Sequence, residues 1–174
     1  MNVQKVRSKI STYMKISIAF YKGKGNILNK IVRVWTKSRY SHAELILDDE
    51  KTWISISPKL GSKIANTVPL LVDHTQWDII ELQVDEGQYQ TILEFYDETA
   101  GCGYDWIGML CSQFLPFRIK ARNRWYCSEW IAYALRIACI IDWKIIKIYD
   151  RKDLSPGVLH NIVQKVKEDE DKKV

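Results

Sequence analysis

Four cysteines, Cys102, Cys111, Cys127 and Cys139, are the first residues with chemistry to offer, and only Cys127 stands where a backbone could activate a thiol. It follows a loop carrying Arg122 and Arg124 and begins the apolar run YCSEWIAYALRIACI, Tyr126 to Ile140, which reads as a helix. The unpaired N–H groups and positive dipole end at a helix start stabilise a thiolate and offer donors to an oxyanion. Cys102 lies in a Gly turn without that setting, whereas Cys111 and Cys139 read as small hydrophobes buried in apolar helices. On spacing alone, a buried structural cysteine is the competing reading of Cys127.

His42 is the natural partner for that thiol. Of three histidines, His74 falls in a loop and His160 in the terminal helix, while His42 begins the strand HAELIL after Tyr40-Ser41. HAELIL and TWISIS (Thr52 to Ser57) flank the polar loop Asp48 to Lys51 and read as a β-hairpin. Alternation puts Ala43, Leu45 and Leu47 on one face and His42, Glu44 and Ile46 on the other. If Leu47 pairs with Thr52, His42 lies across from Ser57 and Glu44 across from Ser55. A histidine, a carboxylate and two hydroxyls on one strand face are unusual for packing alone. A thiolate–imidazole pair requires only that the side chains meet in space.

The elements that must position them can be read in order. Residues 1–13 form a basic N-terminal extension, 14–166 a single domain and 167–174 a charged tail. Lys15 to Tyr21 is a first strand, broken at Gly23 and Gly25. Asn26 caps a helix through Trp35, with Ile27, Ile31, Val34 and Trp35 on one side. Packing of that side on the sheet is the expectation, and a membrane-surface helix the alternative. After a loop rich in Gly, Lys and Asn come a strand from Trp77 to Val84 and a helix from Asp85 to about Glu98. Tyr104-Asp105-Trp106 opens a further apolar helix to about Phe114, residues 143–148 read as a short strand, and Ser155-Pro156 starts the last helix.

Composition narrows the function classes. A chain of 174 residues can bury a core without staples. The cysteines show no CxxC spacing and no nearby histidine, so neither a metal nor another cofactor is expected. The net charge of +5 gathers in the N-terminal third and in Arg118, Lys120, Arg122 and Arg124; it reads as solvated surface, with an anionic partner as the alternative. No basic-aromatic repeat or groove-reading motif calls for nucleic acid. Met14 to Tyr21 is too short and mixed for a secretory core, and no run has the length of a membrane span. A reduced cytoplasmic setting is therefore expected, which keeps a thiol free for chemistry.

The segment Tyr40-Ser41-His42-Ala43-Glu44-Leu45, followed about 85 residues later by Trp125-Tyr126-Cys127-Ser128-Glu129, resembles the circularly permuted NlpC-type papain-like cysteine hydrolases. These are the YiiX/YaeF-like amidases and related phage and bacterial proteins. Tyr104-Asp105-Trp106 and Leu154-Ser155-Pro156-Gly157 are similar to recurring elements of the group, and the resemblance spans roughly residues 14–160. It implies an α+β fold in which a small antiparallel sheet packs against the Cys-bearing helix. It implies that Cys127 attacks an amide or ester carbonyl, that His42 takes the thiol proton and returns it to the leaving group, and that a thioester forms. A polar residue should orient the imidazole. The strand after the His strand lacks the family's carboxylate, which leaves Ser57, favoured by register, or Glu44, on the same face. Glu129 either holds the hairpin or is simply exposed. Trp125, Tyr126, Tyr104 and Trp106 are candidates to border a substrate groove. The implied substrates are peptides of the peptidoglycan type or lipid and N-acyl amides, and the implied location of a phage-encoded member is the host cytoplasm or the virion. Acyl transfer through the same pair, or a non-catalytic binding module of the same fold, are the alternatives.

Overall fold

The computed structural model describes residues 13–57, 63–67, 75–105, 123–142, 144 and 154–172. The chain is α+β, with four helices and a mainly antiparallel sheet among the described residues. The strand next to one edge, β1 (Met14–Tyr21), is an apolar run whose Ile16, Ile18 and Phe20 are fully buried, with Ala19 buried on the opposite face. β1 pairs along its whole length with β5 (Trp77–Val84), Met14 against Val84 and Tyr21 against Trp77. Its other edge takes β2 (His42–Ile46), with Tyr21 against His42. β3 (Trp53–Ser57) and β4 (Lys63–Thr67) continue the sheet, and two short strands, β6 (Gly103–Tyr104) and β7 (Arg124–Trp125), end it. The resulting order is β5-β1-β2-β3-β4-β6-β7, and only the β6–β7 pair is parallel.

One face of this sheet is covered by α2 (Glu86–Thr99), α3 (Cys127–Ile137) and α4 (Pro156–Asp171). Asp85 and Gln88 form a reciprocal capping box that starts α2, and Ser155 caps α4 ahead of Pro156 at its first turn. α3 is buried almost all round, with Trp130 and Leu135 fully enclosed against β2, β3 and α2. The Trp130 indole N–H donates to Thr99 Oγ1 at 2.8 Å, which satisfies the one polar atom of that side chain and ties α3 to the end of α2. The opposite sheet face carries a smaller cluster of Ala19, Ile46 and Trp53 with Trp77 and Ile79.

Several expectations are corrected. The Gly-, Lys- and Asn-rich stretch contains β4, paired with β3 from Trp53–Thr67 to Ser57–Lys63. Tyr104 stands in β6, not at a helix start, because Gly103 and Tyr104 pair with Arg124 and Trp125. α3 stops at Ile137, and Cys139 lies beyond it, exposed, at φ 55°, not in a buried helical position. The charged stretch from Lys167 continues α4 to Asp171, where Lys167 meets Asp171 at 3.0 Å one turn on. α1 (Ile27–Thr36) is capped by Asn26 as expected, but its apolar face is turned outward and not onto the sheet. The continuation of the expected helix to Phe114, with Trp106 and Cys111, and most of the expected strand at 143–148 lie outside the described residues.

Candidate active site

The site begins at the first turn of α3. Tyr126 takes the extended conformation of an N-cap but supplies no side-chain cap, and its carbonyl accepts the first helical bond from Trp130 at 3.0 Å. The N–H groups of Cys127 and its successors therefore sit at the positive end of the helix without a capping oxygen. Ser128, fully buried, donates through Oγ to the Leu154 carbonyl at 2.6 Å and pins this end to the segment that starts α4.

The facing strand opens where the helix end meets it. Leu47 N–H bonds the Thr52 carbonyl, so every second N–H along β2, at Leu45 and Ala43, points toward β3. The β2–β3 pairs are Ile46–Trp53 and Leu45–Ile54, and among the described residues the pairing ends there. The N–H of Ala43, one step further, is directed at the Cys127 sulfur, as is that of Ser128. A strand N–H and a helix N–H thus converge on one thiol.

His42 lies beside that sulfur. Burial works against its charge, but the Cys127 charge, a hydrogen bond to Cys127 and a further bond to Glu44 outweigh it and raise the imidazole to about 10. For Cys127, burial opposes ionisation, yet the His42 charge and hydrogen bond, with the Ala43 and Ser128 N–H groups, bring the thiol below its ordinary value. The two shifts share one cause, the pairing of Cys127 with His42, which favours the thiolate–imidazolium form over the neutral pair.

The second imidazole nitrogen is held on its far side. Nε2 lies 3.1 Å from Glu44 Oε1 and 3.4 Å from Ser55 Oγ, and Ser55 Oγ donates to the same Glu44 oxygen at 2.7 Å. Because the Ser55 proton is committed to the carboxylate, Nε2 donates to Glu44, which leaves Nδ1 for the sulfur. The side chains of His42 and Glu44 are only 19% and 15% exposed, so the pair is shielded from water.

The expected register, Leu47 with Thr52 and hence Glu44 opposite Ser55, is the one observed. The orienting residue is not the one it favoured. The register favours Ser57, but the imidazole turns along its own strand, and its Nε2 partners are Glu44 and Ser55. Tyr104 is buried close to the sulfur: burial, then the charges of Cys127, Tyr126 and Asp105, push its phenol well above the usual value. Trp125 is buried in an aromatic cluster with Phe95 (5.5 Å) and Tyr133 (5.3 Å) and anchors α3. Tyr126 is buried at the helix cap, and Glu129 is buried in the first turn, not exposed. Ser55 and the Ala43 N–H are the parts that sequence reasoning did not assign; register could have offered Ser55, but nothing in the residue type marks Ala43. Among the described residues no group of three or more His, Cys, Asp or Glu could hold a metal ion.

A scan against models of known families finds no match to the chain, and a search of curated proteins finds none similar to it in sequence.

Proposed function

We propose that the chain is a cysteine-dependent hydrolase of amide or ester bonds with a permuted papain-like fold, working through a thioester on Cys127. The observation that carries this reading is the convergence on one buried thiol of His42 and two backbone N–H groups, which lowers its pKa. The α+β arrangement, with the His-bearing hairpin ahead of the Cys-bearing helix in the chain, supports the permuted fold.

In the proposed reaction the Cys127 thiolate adds to the substrate carbonyl carbon, and the C–O electron pair moves onto oxygen. The Cys127 N–H at the helix start donates to that oxyanion. Collapse of the tetrahedral adduct breaks the bond to the leaving nitrogen or oxygen, which takes the proton from the His42 imidazolium. Neutral His42, still bonded to Glu44 through Nε2, then removes a proton from water, whose oxygen attacks the thioester and releases the acid. An alcohol or amine in place of that water would give acyl transfer by the same residues. Peptides of the peptidoglycan type, or lipid and N-acyl amides, are the proposed substrate classes.

The test is intact-mass spectrometry after mixing the protein with p-nitrophenyl esters of short and long acyl chains. A single acyl addition on Cys127, absent in Cys127→Ala and persisting longer in His42→Ala, is the expected result. Equal, slow acylation of Cys102, Cys127 and Cys139 would leave Cys127 an inert core residue and end the proposal.

A further inference from the structure

α1 is built inside out. Ile27, Ile31 and Val34 fall within about 60° of one another around the helix axis, and they are 77%, 44% and 72% exposed. They are three of the four large hydrophobic side chains that stand exposed among the described residues. The polar side of the helix faces the protein instead. Asn29 Nδ2 donates to Ser41 Oγ at 3.0 Å, and the Arg33 guanidinium donates to the carbonyls of Lys22, Gly23 and Lys24. Those bonds fix the rotation of the helix, so its apolar stripe cannot roll inward without breaking them. Leaving such a stripe in water is unfavourable unless something covers it.

The charge around the stripe indicates what that is. No Asp or Glu precedes Glu44, whereas ten Lys and Arg do. The residues from Glu44 onward hold sixteen basic against twenty-one acidic groups, so the net positive charge of the chain comes from this end. Lys24, Lys30 and Lys37 are exposed beside the stripe. A nucleic acid would use the cations but leave the aliphatic stripe in water. An apolar stripe flanked by lysines matches the interface of a bilayer with anionic headgroups. No helix among the described residues is long and apolar enough to cross a membrane, so the contact is one of lying on the surface.

We infer that α1 docks the protein onto an anionic phospholipid surface, with Ile27, Ile31 and Val34 entering the headgroup boundary and Lys24, Lys30 and Lys37 meeting phosphates. The inference is independent of the chemistry at Cys127. The Asn29–Ser41 bond nevertheless ties the docking helix to the residue that precedes His42, so a docked protein holds its candidate site close to the lipid.

The experiment is co-sedimentation of the full chain with vesicles of phosphatidylcholine alone or with about 30% phosphatidylglycerol, at roughly 0.1 M salt, where screening extends over about 10 Å. Binding to the anionic vesicles is expected, with at least about a tenfold loss in Ile31→Asp and in Lys24→Glu/Lys30→Glu, and a graded loss as salt rises. Cys127→Ser should bind as wild type does. Melting temperatures of the surface variants should stay at the wild-type value, since these side chains are exposed. Equal binding to both vesicle types, unchanged binding by Ile31→Asp, or a solution dimer that Ile31→Asp dissociates with no vesicle binding would each overturn the inference.

Discussion

Ser55 Oγ donates at 2.7 Å to the same Glu44 oxygen that His42 Nε2 reaches at 3.1 Å. The hydroxyl holds the carboxylate, and the carboxylate holds the ring, so His42 is oriented through a two-step chain that crosses from β2 to β3. Loss of Glu44 should therefore matter more than loss of Ser55. Glu44→Gln is expected to slow iodoacetamide labelling of Cys127 by roughly tenfold, about one pKa unit of lost pairing. Ser55→Ala should produce a smaller loss, and Ser57→Ala a smaller one still. Labelling followed by peptide mapping reads all three, and a larger effect from Ser57→Ala than from Glu44→Gln would refute the chain.

The pH dependence of thiol reactivity follows from the paired shifts. The Cys127 thiol lies below its ordinary 9.0 and His42 is raised from 6.5 to about 10. Labelling of Cys127 should therefore stay fast below pH 9.0, falling only as pH drops through the lowered thiol value. In His42→Ala that limb should move upward toward the ordinary thiol range. Cys139, exposed on the same molecule, is the internal standard and should not respond to His42→Ala.

Stability should depend on pH at both ends of the same window. A raised imidazole contributes fully below its unfolded value of 6.5 and loses that contribution as pH rises through about 10. A lowered thiol contributes fully above its unfolded value of 9.0 and loses it as pH falls through the folded value. Thermal melts of the wild type should thus lose more than those of a Cys127→Ala/His42→Ala double variant toward both the acid and the alkaline limits. Parallel curves for the two proteins would show that the pair is not charged.

Ser128→Ala removes the buried bond to the Leu154 carbonyl and leaves that acceptor unsatisfied. A cost of about 1–3 kcal/mol is expected, seen as a fall in melting temperature of roughly 2–10 °C for a chain of this size. Slower labelling of Cys127 should accompany it, because the helix start would lose its anchor. Melting and labelling curves check both.

Gly157 sits against Ser38, whose Cβ and Oγ would collide with any side chain placed there. Gly157→Ala should destabilise by about 1–3 kcal/mol through overpacking. Ser38→Gly in the same chain should restore much of the loss, since it removes both crowding atoms. Chemical denaturation of the single and double variants measures the rescue.

Much of the site was legible in one dimension. Strand period alone places His42 and Glu44 on one face, and the pairing of Leu47 with Thr52 puts Ser55 opposite Glu44. The apolar run from Tyr126 to Ile140 likewise marks the helix whose first turn carries Cys127, although it carries that helix three residues past its observed end at Ile137. Three matters needed the folded chain. Whether the imidazole leans across to Ser57 or along its strand to Glu44 is a rotamer choice, set by the thiol on its other side. That the Ala43 N–H serves the sulfur depends on where two strands part, which no residue type encodes. The periodicity of α1 shows that it has an apolar side but not which side meets the protein; hydrogen bonds from Asn29 and Arg33 to distant backbone and side-chain groups decide that, and they turn the stripe outward. Local pattern follows from the repeat of helix and strand, whereas orientation depends on partners that only tertiary contact brings together.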